Sequence, residues 1–325
     1  MNSLLHKRFP HLSLPYDRLG DGPTPVREIN CRGLRSPVWV KDESGYGRGG
    51  WGGNKVRKLE WLLPDAHRRG THTILTVGGL GTNWGLATAL YARAYGIHTA
   101  LGLIDQPVDD HIRRQLQRLR ESGASLHFAH SKARLIAIAP WLFVRHSHRC
   151  RPPYYLPAGG SSALGVLGHV ETALELADQV AAGAVPEPGY IVTAVGSGGT
   201  AAGLALGLRL AGLRTRVLGV VVNDTLPLDS VTLTRLAGKT ARLLNSHGAH
   251  VDDAAADIDT EYGWLGPGYG HVTAAAAEAA KVAADAGLAL EMTYTAKAFA
   301  ALIDLDRAGR FATEPVVVLN THGPR

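Results

Sequence analysis

Short β-branched or apolar runs alternate with helix-length segments along nearly the whole chain, and this alternation limits the fold more than any other feature of the sequence. Strands are expected at 37–41, 73–77, 98–104, 125–129, 154–157, 190–195, 216–222 and 315–320. Between them, helical periodicity runs over 54–69, 83–95, 162–181, 199–211, 272–286 and 295–308. Parallel strands need crossovers long enough to hold a helix, so strands that alternate with helices pair in parallel. The expectation is an α/β chain with mostly parallel sheets. Its 325 residues suit about two domains.

Composition removes several function classes. Hydrophobic residues make up 45% and charged residues 19%, which supports a sizeable core and excludes a disordered chain. Apolar stretches are broken by glycine or charge well short of the roughly 18 residues a membrane span needs. The opening MNSLLHKRFPHLSLPYD has no continuous apolar core and no small-residue cleavage site, so no secretory signal is expected. Cys31 and Cys150 are too few for a disulfide framework, and the expected compartment is the cytoplasm. A net charge of +6 raises the question of nucleic acid. Arginines, however, are scattered among alanines and leucines, and the densest basic stretch, 110–120, places Ile112, Leu116 and Leu119 on one helical face. No nucleic-acid or membrane partner is expected.

Four stretches carry chemistry. In Gly52-Gly53-Asn54-Lys55-Val56-Arg57-Lys58-Leu59-Glu60, Lys55 follows a glycine-rich loop, 45–53, and sits at a helix start. An ordinary surface lysine tolerates that position; a catalytic one exploits it, since a lowered amine pKa favours covalent chemistry. The stretch Val195-Gly196-Ser197-Gly198-Gly199-Thr200 follows a strand and opens a helix. Its backbone N–H groups and hydroxyls suit a phosphate. A dinucleotide site is the rival there, because the next strand ends in Asn223-Asp224, although the glycine spacing is not G-x-G-x-x-G. Third, Gly78-Gly79-Leu80-Gly81-Thr82-Asn83 is a strand-to-helix turn that suits a carboxylate or is a plain helix cap. Fourth, Tyr269 stands between glycines and Tyr294 precedes a helix. The segment His146-Ser147-His148-Arg149-Cys150 has metal-ligand residue types but no fourth ligand at zinc-like spacing, so a loop without metal is expected.

Together these stretches resemble the fold-type II pyridoxal-phosphate enzymes, in the branch of aminocyclopropane-carboxylate deaminase and D-cysteine desulfhydrase. The resemblance is carried by Thr24-Pro25, Val40-Lys41-Asp42-Glu43, the block from Gly52 to Glu60, Pro157-Ala158-Gly159-Gly160-Ser161-Ser162, the turn Gly196–Thr200, Tyr294-Thr295-Ala296-Lys297-Ala298 and the closing strand 316–321. It implies two open, twisted, mostly parallel sheets with helices on both faces. A small domain (56–165) would be inserted in a large one (1–55 and 166–325), and the chain would form a homodimer.

The resemblance also implies the cofactor, pyridoxal 5′-phosphate, and roles for residues. Lys55 would be the Schiff-base lysine and carry the proton at the substrate α-carbon, beside Asn54. Gly196, Ser197, Gly198, Gly199 and Thr200 would hold the phosphate, with Asn83 near the cofactor's 3′-oxygen. Thr82, Asn83 and Trp84 would form the carboxylate turn, and Tyr269 and Tyr294 would line the substrate side as acid or base. Thr295 and Thr321 distinguish the branches. Deaminases carry Glu where this chain has Thr295, and Leu where it has Thr321, so a neutral ring partner and β-elimination from a small amino acid are expected, giving pyruvate and ammonia. Ring-opening deamination, β-replacement, and cofactor binding without turnover are the alternatives. Two departures touch the substrate side: Thr82 and Trp84 replace the family's Ser and Gln, and Asn320-Thr321-His322-Gly323 replaces His-Thr-Gly-Gly.

Overall fold

The computed structural model describes residues 3–48, 52–251 and 257–321. Residues 49–51 of the glycine-rich loop, and His322 and Gly323 of the closing motif, lie outside them. One sheet has six strands in the order β1 (Val26–Ile29), β2 (Val38–Asp42), β10 (Val316–Asn320), β7 (Tyr190–Val195), β8 (Arg216–Val221), β9 (Ile258–Glu261). Only β1 is antiparallel to its neighbour. The second sheet is wholly parallel, in the order β5 (Ser125–His130), β4 (His98–Ile104), β3 (Thr73–Gly79), β6 (Tyr154–Leu156).

Alternating side chains divide the core of the larger sheet. Ile191, Val195, Val217 and Val317 pack under α6 (Ala163–Ala181), α7 (Gly199–Ala211) and α8 (Ser230–Ser246), with Leu5 of α1 (Leu4–Arg8) joining them. Val192, Leu218, Val220 and Val318 face α9 (Ala274–Asp285) and α10 (Thr295–Arg307), where Phe299 and Leu302 are wholly buried. Burial on both faces explains the continuous apolar runs of these strands. The smaller sheet is covered on one side by α3 (Asn83–Ala92) and α4 (Asp110–Glu121), through Leu86, Leu101, Leu103 and Leu119. On the other side lies α5 (Lys132–Arg145), through Leu75, Ala100 and Leu142.

Helix α2 (Asn54–Arg68) joins the two cores. Its Trp61 belongs to the cluster under the large sheet, and Val56, Leu59, Leu62 and Leu63 belong to that of the small one. It meets α6 at Gly168, where a Cβ would fall 2.2 Å from the carbonyl oxygen of Arg57, so only glycine allows this approach. Arg57 anchors it electrostatically. The guanidinium donates to Glu43 at 2.8 and 2.9 Å and to Glu175 at 3.1 Å, Lys41 pairs with Glu175 at 2.5 Å, and the Thr24 hydroxyl donates to Glu43 at 2.7 Å. Two buried cations thus face two buried carboxylates, the balance that buried charge requires.

The expected strands and helices all occur, with ends shifted by a few residues. Strands β1 and β9 and helices α1, α5 and α8 were not foreseen. The two strands are short and half polar, and α5 carries an internal Pro140 and apolar residues all round, so neither period stands out. No helix among the described residues is long and apolar enough to cross a membrane.

Candidate active site

The carboxyl ends of strands from both sheets open on one cavity of about 500 Å3. Every site residue named from the sequence lines it except Gly199, which stands directly behind Gly198. Asn54 and Lys55 come from the start of α2, and Thr82, Asn83 and Trp84 from the turn after β3. Gly196, Ser197, Gly198 and Thr200 follow β7, Tyr269 lies in a loop, Tyr294 and Thr295 open α10, and Thr321 ends β10.

Three helices begin at this cavity with no cap from the side chain of the residue before them: α2 behind Gly53, α7 behind Gly198 and α10 behind Tyr294. The other seven among the described residues are capped by Ser, Thr or Asp oxygens. Uncapped starts leave free N–H groups and a positive dipole end, which together favour an anion. At α7, Gly198 takes a φ of 84°, so the chain turns back on itself before the helix.

Beneath that turn the Gly199 N–H donates to Ser161 Oγ (3.1 Å), and Ser161 and Ser197 hydroxyls lie 2.8 Å apart. Lys58 completes the cup. It is 1% exposed, and its Nζ donates to the Gly159 carbonyl (2.8 Å) and to Ser161 Oγ (3.3 Å). No carboxylate pairs with it among the described residues. Burial, with Lys55 beside it, drives its amine well below the usual range. A dianion in the cup would supply the missing opposite charge. The Lys55 amine is itself pulled down to about 8 by burial, against the opposing influence of the Glu291 carboxylate. Asn54 Oδ1 is buried without a partner at the same place. Two buried amines with no carboxylate in contact among the described residues, the hydroxyls of Ser197 and Thr200, and the start of α7 fit a phosphate-bearing aldehyde bound at Lys55, as pyridoxal phosphate is.

The substrate side is built by three pieces. Tyr269 and Tyr294 hydroxyls are 2.5 Å apart, and Asp224 fixes the first of them by accepting from the Tyr269 N–H at 3.2 Å. Thr82 Oγ1 accepts from the Gly85 N–H (3.1 Å) and so caps α3, leaving its own proton to donate. Asn83 Oδ1 accepts from Gln115 Nε2 at 2.5 Å. Trp84 points inward: its Nε1 donates to Thr76 Oγ1 (2.8 Å) and its ring covers Gly160.

Thr295 is 2% exposed, and its hydroxyl accepts from the Glu291 N–H (2.8 Å) and donates to the Glu291 carbonyl (3.2 Å). The Glu291 carboxylate, which also lines the cavity, accepts from the N–H groups of Thr293 (2.6 Å) and Tyr294 (3.0 Å). The acid in this corner thus holds the entry to α10. Lys58 and Glu291 went unnoticed in the sequence, although Lys58 stands one turn after Lys55 on the same helix face. An acid just before a helix start is a capping signal.

The segment 146–150 lies elsewhere. His127 and His146 Nε2 atoms are 2.8 Å apart, and the rings of His72 and His148 stack at 4.0 Å. No group of three or more His, Cys, Asp or Glu side chains that could hold a metal ion occurs among the described residues.

Comparisons with known proteins show the family and with it the cofactor. The family described as pyridoxal-phosphate dependent enzyme matches residues 18–322. A D-cysteine desulfhydrase of Salmonella choleraesuis is 34% identical, over 97% of this chain and 94% of its own length. A Pyrococcus horikoshii protein named as a 1-aminocyclopropane-1-carboxylate deaminase is 31% identical, over 97% and 92%. The crystal structure of an ACC deaminase homologue superposes with a TM-score of 0.82 at 28% identity, covering 99% of this chain and 95% of that one.

Proposed function

The chain belongs to the pyridoxal-phosphate dependent enzymes, and from that premise we propose that it is a lyase that eliminates the β-substituent of a small amino acid, in the manner of D-cysteine desulfhydrase. The observation that carries this reading over ring-opening deamination is the corner at Thr295. Its hydroxyl, a neutral group, is engaged with the Glu291 backbone, and the nearby Glu291 carboxylate is turned to the N–H groups of Thr293 and Tyr294. Bound pyridoxal phosphate supplies an electron sink for charge developing at the substrate α-carbon.

The chain's own residues do the rest. The free N–H groups at the start of α3 and the Thr82 hydroxyl hold the substrate carboxylate. The Lys55 amine, with a pKa near 8, takes the α-proton. As the C–S bond breaks, the sulfur leaves with the electron pair and takes a proton from the Tyr269–Tyr294 pair. With cysteine and water the products balance as hydrogen sulfide, pyruvate and ammonia. We take 56–165, with the four-stranded sheet, as the small domain, and a cytoplasmic homodimer as the working form; light scattering of the purified protein tests the latter.

The test is incubation of the holoenzyme with D- and L-cysteine, β-chloroalanine and 1-aminocyclopropane-1-carboxylate. Pyruvate and ammonia from a β-substituted substrate are expected. α-Ketobutyrate from the cyclopropane would overturn the reading of Thr295, and no product from any of them would leave only cofactor binding.

A further inference from the structure

The two halves of the cavity differ in character. The half formed by the ends of the larger sheet and the start of α2 carries the lysines, hydroxyls and N–H groups. The other half runs along the face of the smaller sheet that lies under α5. On that face Leu75 pairs with Ala100, Val77 with Gly102, and Gly79 with Ile104. Each large side chain is thus set beside a small one, which leaves a shallow apolar floor.

The roof is α5. Leu135, Ala139 and Leu142 fall on one stripe and all line the cavity. Leu135 reaches the floor, since a Cβ on Gly102 would lie 2.5 Å from its Cδ1. Ala139, one turn later, does not carry enough side chain to do so. At the mouth, Lys132 Nζ donates to the Thr225 carbonyl (2.9 Å), tying the first turn of α5 to the loop that carries Leu226. Apart from Lys132, no charged side chain among the described residues lines this half. A hydrogen sulfide leaving group would use none of it.

Resting on the elimination reading above, we infer that this annex receives the β-substituent, and that the preferred substrates are cysteine thioethers bearing an alkyl or aryl group. The reaction balances as before: the α-proton leaves, the C–S bond breaks toward sulfur, and the thiolate is protonated to a thiol. Water converts the three-carbon remainder to pyruvate and ammonia. The carboxylate and amine of such a substrate stay where those of cysteine would sit, and only the tail enters the annex.

The experiment compares S-benzylcysteine with cysteine, both enantiomers of each, on the holoenzyme and on Ala139→Trp, which fills the annex under α5. S-Benzylcysteine is expected to show kcat/KM at least about tenfold above cysteine, a difference that one or two apolar groups in a fitted pocket produce. Ala139→Trp is expected to abolish that advantage and leave cysteine turnover as it was. A milder Ala139→Leu, with a thermal melt of each variant, separates filling from misfolding. Equal turnover of the two substrates, or equal loss of both in the variants, overturns the inference. If neither thioether nor cysteine yields pyruvate, the elimination reading has failed instead. Titration of the cofactor's absorbance with homophenylalanine, against alanine, then decides the annex alone. Tighter binding of homophenylalanine that is lost in Ala139→Trp supports it, and indifference to the variant overturns it.

Discussion

The hydroxyls of Tyr269 and Tyr294 meet at 2.5 Å, yet the two phenols are not equivalent. Burial raises the pKa of both, while their shared hydrogen bond lowers that of Tyr269 and raises that of Tyr294. Tyr269, whose N–H is held by Asp224, is the phenol we assign to protonate the leaving sulfur. Tyr269→Phe should reduce kcat for elimination by about 10² to 10⁴, the range of positioned acid–base catalysis, with cofactor affinity unchanged. Tyr294→Phe should cost less, because Tyr269 keeps its proton without it. Steady-state kinetics on both variants checks the order, and a larger loss at Tyr294 would reverse the assignment.

Lys58 makes a second asymmetry measurable. In the protein without cofactor its buried amine has no opposite charge; with a phosphate in the cup it does. Lys58→Met should therefore leave the apoprotein's melting temperature unchanged or raise it. It should weaken pyridoxal phosphate binding by about 10- to 100-fold, the worth of one hydrogen bond to a charged group. Fluorescence titration gives the affinity, and the phosphorus resonance of the bound cofactor should shift in the variant. A purely structural lysine would lower the melting temperature and leave that resonance in place.

These residues also show what a sequence discloses. Glycine turns at strand ends and the block from Gly52 to Glu60 could be read directly, because backbone geometry and helix position are local properties. The role of Arg57 could not, since its partners Glu43 and Glu175 are remote in the chain and come together only through α6 and β2. Trp84 lines the cavity, as its place in the turn after β3 implies, but that its indole packs on Thr76 and Gly160 depends on residues remote in the chain. Helix α5, which bounds the annex, was not foreseen because its apolar residues lie on every side of it.

Glu60 predicts a pH dependence of stability. Its Oε1 accepts from the Leu19 N–H (2.9 Å), the Gly20 N–H (3.3 Å) and the Tyr46 hydroxyl (2.7 Å), and its Oε2 is buried without a partner. Burial raises its pKa from 4.5 to about 7. Between those values the folded chain holds a proton that the unfolded chain has lost, so stability falls as pH rises through that window. Glu60→Gln, which cannot ionise, should remove the fall, on the order of 2 kcal/mol. Chemical denaturation at pH 5 and pH 8 measures it, and parallel curves for the two proteins would refute it.

Lys55 titrates in the opposite sense. It stands in the first turn of α2, which has no acid to offset the helix dipole, and burial lowers its pKa from 10.5 to about 8. Between those values the unfolded chain holds one proton more than the folded one, so this group makes the apoprotein more stable as pH rises across that window. The same shift governs reactivity, because only the neutral amine attacks an aldehyde. Capture of pyridoxal phosphate by the apoprotein should therefore accelerate with pH and level off just above 8. Glu291→Gln removes the charge that opposes the shift and should move the midpoint lower still. Stopped-flow absorbance over a pH series reads both midpoints. A midpoint near that of free lysine would mean that the amine is solvated before the cofactor arrives, and that the buried start of α2 does not activate it.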